Sequence, residues 1–171
     1  MDKKTLLSKL NEVVPGAVLR KQRMGRSEMV CLWIETKSIQ RVAEIIKQDN
    51  EISLDWLENL SAMQIGEALV FTYVVSSWKF GSTLILRGSA DINVSGGIVS
   101  FPSVTKTWPM AIAFESEIEE LFGVSFQDGT LHKKEKSLLL HGWVGFPLRK
   151  DYVFPKQVLG ISHCQQVTSN V

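Results

Sequence analysis

The sequence predicts a single α+β domain in which about four helices pack on a mixed sheet of about four to six strands. Three observations support this fold class. Segments with helical and with strand-like apolar spacing both occur, and no internal repeat is present. Hydrophobic residues make up 44% of the 171 positions and charged residues 22%, as in ordinary globular proteins. We assign residues 1–155 to this domain and residues 156–171 to a C-terminal tail.

The first part of the chain predicts a helix followed by a hairpin. Apolar side chains at helical spacing over 6–14, followed by Pro15-Gly16, predict the helix and its end. Strand-like runs over 17–19 and 28–36 predict the hairpin. Four cations lie near its tip: Arg20, Lys21, Arg23 and Arg26. They could bind an acidic partner, phosphate or nucleic acid, but at a net charge of +1 we favour a solvated hairpin.

The middle of the chain predicts one more helix and a second hairpin. Ser38 precedes a one-sided apolar pattern over 39–46 and is expected to cap that helix. Residues 54–65 combine helical spacing with strand alternation, which predicts a short helical turn that runs into a strand. The β-branched and aromatic runs at 69–78 and 83–87 predict the second hairpin.

The remaining third predicts two helical pieces and an irregular segment rich in aromatic residues. Residues 88–102 are expected to form a surface connection. A short helix capped by its first serine is expected over 103–108, and a longer one over 109–123, which ends in a glycine suited to a left-handed cap. Residues 137–141 predict a short strand. The Gly, Pro and aromatic residues of 142–152 predict a loop that docks on its own core or on another subunit.

The composition argues against several classes of function. Lys plus Arg number 19 against 18 Asp plus Glu, so the overall charge gives no reason to expect nucleic acid or a membrane surface as partner. The apolar runs at 69–75 and 108–114 are much shorter than the roughly 18 residues of a membrane span. The first residues show no secretory signal, which predicts a cytoplasmic location.

Signatures of metal, nucleotide and nucleophile sites are missing from the sequence. Cys31 and Cys164 are far apart, whereas an iron–sulfur cluster needs about four clustered thiolates. No histidine has zinc-site spacing, and no phosphate-binding or nucleophile motif occurs. An acid/base pair of His132 and Glu135 is an enzymatic alternative, but it lacks an orienting group. We expect no catalytic, metal-binding or cofactor-binding residue in this chain.

Two segments carry a resemblance to a known family. The first contains Ser103-Val104-Thr105, Trp108-Pro109, Ala113, Glu115-Ser116-Glu117 and Glu120-Leu121-Phe122-Gly123-Val124-Ser125-Phe126. The second contains Trp143, Gly145 and Pro147-Leu148-Arg149-Lys150-Asp151-Tyr152. Their order and spacing resemble the S-V-T, W, A, E-R-E, D-[LM]-[FY]-G-[IV]-x-F and W-x-G-H-P-L-R-K-D-Y motifs of the C-type, 30 kDa subunit of NADH-quinone oxidoreductase (respiratory complex I).

The chain departs from the family pattern at four places, one of which is Leu131-His132-Lys133-Lys134-Glu135-Lys136 in place of an arginine-rich stretch. Ser116 stands where the family has the Arg of E-R-E, and Phe146 stands where it has the His of the second G-H-P. Gln127-Asp128-Gly129 replaces an earlier G-H-P.

The resemblance implies the α+β fold of that C-type subunit and a non-catalytic role in the peripheral arm of a proton-translocating NADH-quinone oxidoreductase. It implies docking on the quinone-binding, D-type subunit and on other peripheral-arm subunits, on the cytoplasmic face of the inner membrane, in support of electron transfer from NADH to quinone. NADH, FMN, iron–sulfur clusters and quinone would belong to other subunits. Related subunits occur in membrane-bound hydrogenases, so an equivalent subunit of such a complex is the alternative.

The motif residues are the candidate interface: Glu115, Glu117, Glu120, Gly123, Trp143, Gly145, Pro147, Leu148, Arg149, Lys150, Asp151 and Tyr152. Two interpretations of the acidic helix stay open. Glu115 and Glu117 either face a cation, such as Arg149, Lys150 or one on a partner, or lie on a solvated face. Arg149 suits bidentate contact with a carboxylate.

The aromatic residues of the two segments are expected to take different roles. Trp143, Phe146 and Tyr152 are candidates for interface anchors or for packing within the domain. Trp108 and Phe122 are expected in the core.

Overall fold

The computed structural model describes residues 3–23, 29–93, 97–129, 138–140, 142–158 and 160–162. The helices are α1 (Lys3–Val13), α2 (Ile39–Gln48), which follows a 3₁₀ turn at Thr36–Ser38, and α3 (Ala111–Phe122). The strands are β1 (Val18–Arg23), β2 (Val30–Ile34), β3 (Trp56–Ile65), β4 (Ala68–Ser77), β5 (Ser82–Asp91), β6 (Val99–Pro102), β7 (Val124–Gln127), β8 (Gln157–Val158) and β9 (Ile161–Ser162).

Five strands form one mixed sheet in the order β1-β2-β5-β4-β3. β2 and β5 run parallel, and the other neighbouring pairs run antiparallel. β6 and β7 form a separate parallel pair, and β8 and β9 form a short hairpin. The predicted α+β fold with a mixed sheet is confirmed. The described residues hold three α-helices, where the sequence predicts about four.

The sheet buries one face against the helices, and we call this the inner face. Leu57, Val75 and Leu84 lie side by side across β3, β4 and β5 and are fully buried there. The helices contribute to the same core cluster through Leu6, Leu10, Val42, Ile46, Ile118 and Phe122. Because side chains alternate along a strand, the intervening residues point to the opposite face, which we call the outer face. None of the helices that the structure describes is long and apolar enough to cross a membrane.

The helical turn predicted within 54–65 is wrong, because β3 is a strand throughout and pairs with β4 along its length. The register shifts between Leu57 and Asn59. This irregularity brings both Leu57 and Leu60 to the buried side, although they are three positions apart. The spacing that indicated a helix is therefore that of a bulged strand.

Other local predictions also need correction. Residues 104–107 form turns without a helix, and β5 and β6 extend into the predicted surface connection. Ser38 makes no capping bond; its hydroxyl lies 3.0 Å from a carboxylate oxygen of Glu35. Residues 138–140 are not a strand. Some predictions fall outside the described residues: those for Met24–Ser27 with Arg26, for the pair of His132 and Glu135, and for residues 163–171.

Candidate functional site

The first motif segment is organised around Glu115, which is fully buried in the first half of α3 at 0% exposure. The Ser103 hydroxyl donates a hydrogen bond of 2.7 Å to one carboxylate oxygen, and the Val104 N–H donates one of 2.8 Å to the other. The Ser103 and Thr105 hydroxyls are 2.8 Å apart. Glu115 thus fixes the turn that precedes α3 and links the serine–valine–threonine run to the helix.

Two neighbours complete this buried polar cluster. A Cβ on Gly129 would lie 2.6 Å from Ser103 Cβ and 2.7 Å from Thr105 Oγ1, so only glycine allows the 127–129 turn to approach this closely. Tyr73 of β4 is also fully buried, and burial raises the pKa of its phenol well above the usual 10, with a further increase from the charge of Glu115. Its hydroxyl has no hydrogen-bond partner among the described residues.

The other glutamates of α3 have different roles. Glu119 accepts a hydrogen bond of 3.0 Å from the Phe126 N–H and so ties β7 to the helix. One carboxylate oxygen of Glu120 accepts hydrogen bonds of 3.0 Å from the backbone N–H groups of Leu138 and Leu139. Glu117 is exposed. The interpretation of Glu115 and Glu117 as a solvated face is therefore wrong for Glu115, which is buried, and agrees with the exposure of Glu117.

The C-terminal end of α3 receives the second motif segment. Gly123 adopts the predicted left-handed conformation, with φ of 68°. A Cβ at this position would lie 2.6 Å from Cδ2 of the Phe146 ring, so Phe146 packs directly on the glycine. The backbone N–H of Leu148 donates to the Leu121 carbonyl at 3.1 Å. Gly123 is thus required both by the helix cap and by the contact with Phe146.

Arg149 joins this helix end to the rest of the molecule. Its Nε donates to the Phe122 carbonyl at 2.6 Å, and its Nη2 donates to the carbonyls of Gly123, at 3.2 Å, and Gly97. The guanidinium lies 4.9 Å from the centre of the Phe146 ring. Within the described residues Arg149 binds backbone carbonyls and no carboxylate, because the unpaired carbonyls at the C-terminal end of a helix attract a cation.

The rest of the second segment packs largely on itself. The Trp143 and Phe154 rings meet edge to face with centroids 5.6 Å apart, and Tyr152 contacts Phe154 in the same manner at 6.3 Å. A Cβ on Gly145 would lie 2.7 Å from the Tyr152 ring. The backbone N–H of Lys150 donates to Gln64 of β3 at 2.8 Å.

The remaining motif side chains are placed as follows. Pro147 is half-buried, and the side chains of Lys150 and Asp151 are exposed. Trp108 and Phe122 lie in the core as predicted. Trp143, Phe146 and Tyr152 are half-buried within the segment.

Several large apolar side chains of residues 138–140 and 142–154 are exposed, and we call them together the apolar platform. Its members are Leu138, Leu140, Val144, Leu148, Val153 and Phe154. Val144 is 77% exposed and Val153 80%, in a segment whose backbone is held by named hydrogen bonds. Sequence reasoning identified only Leu148 among them. Leu148 alone stands at a motif position, so the motif gave no signal for the other five. Within the described residues, no group of three or more His, Cys, Asp or Glu side chains could hold a metal ion.

Comparison with known proteins assigns the chain to a family. A sequence model of the family described as respiratory-chain NADH dehydrogenase, 30 Kd subunit, matches residues 32–158. The chain belongs to this family. It is 30% identical over 158 residues to the C-type subunit of NADH-quinone oxidoreductase from Roseiflexus sp. (strain RS-1), a match that covers 88% of this chain and 84% of the relative. The resemblance found in the sequence over residues 103–152 is thereby confirmed.

Two further comparisons extend this result. A C/D-type subunit of NADH-quinone oxidoreductase from Gluconacetobacter diazotrophicus is 26% identical over 160 residues, which cover 88% of this chain and 26% of that protein. A chain in the structure of the membrane-bound sulfane sulfur reductase, an archaeal respiratory membrane complex, matches with a TM-score of 0.60 and 15% identity. That match covers 74% of this chain and 71% of the other. At this identity the likeness shows a shared fold alone.

Proposed function

We propose that this member of the NADH dehydrogenase 30 Kd subunit family is a non-catalytic subunit of the peripheral arm of a proton-translocating NADH-quinone oxidoreductase. In this proposal it docks on the quinone-binding, D-type subunit and helps to hold the electron-transfer path from NADH to quinone. NADH, FMN, iron–sulfur clusters and quinone are bound by other subunits. The complex lies at the cytoplasmic face of the inner membrane, and this chain is peripheral.

The observation that carries the docking proposal is the apolar platform. Val144, Leu148 and Val153 are largely exposed, and between the two valines the backbone is bound to α3 at Leu148 and to β3 at Lys150. A rigid apolar surface loses little conformational entropy when a partner covers it, so its burial contributes more fully to binding. Exposed apolar groups of this kind are typical of protein interfaces.

The existence of C/D-type proteins supports the choice of partner. In such a protein a region similar to this chain occupies about a quarter of a longer polypeptide, and its C/D name joins the C-type subunit to the D-type one. Two regions joined in one chain stay at high effective concentration, which favours a direct contact between them. The separate C-type chain would make the same contact without the covalent link.

Purification from membranes tests the assignment to a complex. The tagged full-length chain is recovered from its own membranes in mild detergent, and the co-purifying proteins are identified by mass spectrometry. The proposal expects the quinone-binding subunit and other NADH-quinone oxidoreductase subunits. Recovery without any oxidoreductase subunit contradicts it. Co-purification with nickel-containing hydrogenase subunits also contradicts it and supports the equivalent role in a membrane-bound hydrogenase.

Single substitutions test the docking surface. Val144→Asp and Val153→Asp place a charge on the platform and should lower recovery of the quinone-binding subunit at least about tenfold, because an interface charge would be buried unpaired. Both side chains are so exposed that the fold should not change. Val13→Asp, at the exposed end of α1, adds the same charge elsewhere and should leave recovery unchanged. Equal recovery from all three variants would contradict docking through the platform.

A further inference from the structure

A row of cationic and aromatic side chains crosses the outer face of the sheet. Arg20 of β1 pairs with Trp33 of β2, and Trp33 pairs with Arg87 of β5. The two arginines are thus separated by one strand, about 10 Å at ordinary strand spacing. The Arg87 guanidinium lies 5.7 Å from the centre of the Trp33 ring. Three neighbouring strands therefore present one indole with a guanidinium group on each side of it.

Two buried hydrogen-bond donors of this row have no acceptor among the described residues. Trp33 Nε1 and Arg87 Nε are both buried, and neither has a hydrogen-bond partner within the described residues. Leaving a buried donor unpaired is unfavourable, and native structures rarely do so without a reason. Arg20 is exposed. Among the ion pairs that the described part of the chain forms, none includes Arg20 or Arg87.

Arg20 and Arg87 give the outer face of these three strands a positive charge. β1 and β2 contain no carboxylate. The other cations of β1, Lys21 and Arg23, pair with the inner-face residues Leu32 and Val30, so they lie on the opposite side of the sheet from Arg20. The single carboxylate of β5 is Asp91 at its end, which accepts a hydrogen bond from the Asn93 backbone. An anionic partner would be complementary to this part of the sheet.

The charges of both guanidinium groups affect the pKa of the same buried thiol. Burial raises the pKa of Cys31, while the charges of Arg87 and Arg20 act to lower it. Cys31 lies two positions before Trp33 on the same face of β2, next to Gln22 of β1. The direction of these effects agrees with the placement of both cations on the outer face.

The part of the outer face that β3 forms is apolar and exposed. Trp56, Met63 and Ile65 of β3 are each at least 41% exposed. Their partners on β4 are Ser76, Val70 and Ala68, which alternate with the inner-face residues and so place all three on the outer face. The outer face thus combines a cationic row on β1, β2 and β5 with apolar side chains along the edge strand β3.

We propose that the outer face of the sheet is a second docking surface, which binds an acidic, amphipathic segment of another protein chain. Carboxylates of that segment bind Arg20 and Arg87, since the guanidinium fork matches a carboxylate in two parallel hydrogen bonds. Its apolar side chains cover Met63 and Ile65. The inner-face core separates this surface from α3, so the chain would connect two partners. The apolar part of the face favours a peptide over lipid phosphate, whose headgroup layer would leave Met63 and Ile65 uncovered.

Zero-length cross-linking in the assembled complex tests the contact directly. Arg20→Lys and Arg87→Lys keep the charge and introduce amines that carbodiimide couples to carboxylates in contact. The proposal expects an amide bond from each position to Asp or Glu of a second polypeptide. Lys106, an exposed native lysine in the turn before α3, serves as the control and should give no link to that polypeptide. The proposal is overturned if positions 20 and 87 form cross-links to that polypeptide no more often than Lys106 does.

Charge reversal tests whether the two arginines contribute to binding of the partner. It also distinguishes binding at the outer face from binding at the apolar platform. Arg20→Glu with Arg87→Glu should lower recovery of the acidic partner at least about tenfold while the platform partner is retained. Lys37→Glu with Lys106→Glu makes the same change in net charge at exposed sites elsewhere and should retain both. If the double glutamate variant does not fold, Arg20→Gln with Arg87→Gln replaces it. Loss of the platform partner alone, or of neither, overturns the proposal.

Lipid phosphate is the competing source of negative charge. The full chain is sedimented with vesicles that contain phosphatidylglycerol, at low and high salt. Our proposal expects no difference between the native chain and the Arg20→Glu, Arg87→Glu variant. Salt-sensitive sedimentation that the variant abolishes, without the protein cross-links, would overturn the proposal in favour of a membrane surface.

Discussion

The two ends of α3 are held by charged side chains in different ways. In the first half of the helix, Glu115 is fully buried and accepts hydrogen bonds from Ser103 and Val104. At the other end, Arg149 is half-buried and donates to the backbone carbonyls of Phe122 and Gly123, and to that of Gly97. One of the interpretations left open by the sequence paired these two charges with each other, whereas in the structure Arg149 binds carbonyl groups.

This contrast indicates which end of the helix should control stability and which should control docking. Donors that lose an acceptor in the core cannot be rehydrated, so their full desolvation penalty remains. Carbonyls at a partly exposed helix end can bind water instead. We therefore expect Glu115 to govern the stability of the whole domain and Arg149 to govern the position of the apolar platform.

The largest effect is expected from Glu115→Ala. Loss of both carboxylate oxygens leaves the Ser103 hydroxyl and the Val104 N–H without this acceptor, which should lower the free energy of unfolding by about 3 kcal/mol. Glu115→Gln keeps one acceptor oxygen and should cost less. Urea unfolding measures both. Glu117→Ala, on the exposed face of the same helix, is the control and should stay within about 0.5 kcal/mol; equal losses for Glu115→Ala and Glu117→Ala would contradict the asymmetry.

Gly123→Ala should have the next largest effect, about 2 kcal/mol. Two causes combine, a left-handed φ of 68° and the approach of the new Cβ to Phe146. Gly66→Ala isolates the first cause, since its φ is 59° and a Cβ there meets nothing within 4 Å; it should cost about 1 kcal/mol. In a Phe146→Ala background the cost at Gly123 should fall to that of Gly66. An unchanged cost in that background would exclude the Phe146 contact as the second cause.

Arg149→Lys should cost about 1 kcal/mol, because a single ammonium cannot replace a guanidinium that binds three carbonyls. Its clearer effect should be local. The amide of Leu148, which donates to Leu121, should exchange its hydrogen about tenfold faster. Lys150→Gln is the matched control, because the backbone and not the side chain of Lys150 binds Gln64. Equal exchange at Leu148 in both variants would show that Arg149 does not hold the platform.

Elements with strong local signals could be predicted from the sequence. Apolar periodicity indicated α1 and α2, and β-branched runs indicated β4 and β5, because local spacing alone decides which residues share a face. The left-handed cap at Gly123 was likewise predictable, since glycine suits that conformation after an apolar helix.

The features that depend on distant partners could not be predicted. The bulge in β3 follows from its pairing with β4, so its leucine spacing indicated a helix. Glu115 binds a turn that precedes its helix, and Arg149 binds Gly97, 52 positions away. The exposure of Val144 and Val153 depends on how the whole segment packs against α3. Each of these outcomes is set by tertiary contacts that override local preference.

The smallest effect, of opposite sign, is expected from Tyr73→Phe. The Tyr73 hydroxyl is buried without a partner among the described residues, so its removal should stabilise the protein by up to about 1 kcal/mol. The effect should grow with pH. The phenol pKa is raised in the folded chain, so above about pH 10 only the unfolded state loses this proton, which destabilises the native Tyr73 chain but not the variant. Unfolding free energies at about pH 8 and about pH 11 measure the change. A difference between the two chains that stays constant with pH would mean that Tyr73 ionises as readily in the folded state, and that the surroundings of Glu115 are open to water.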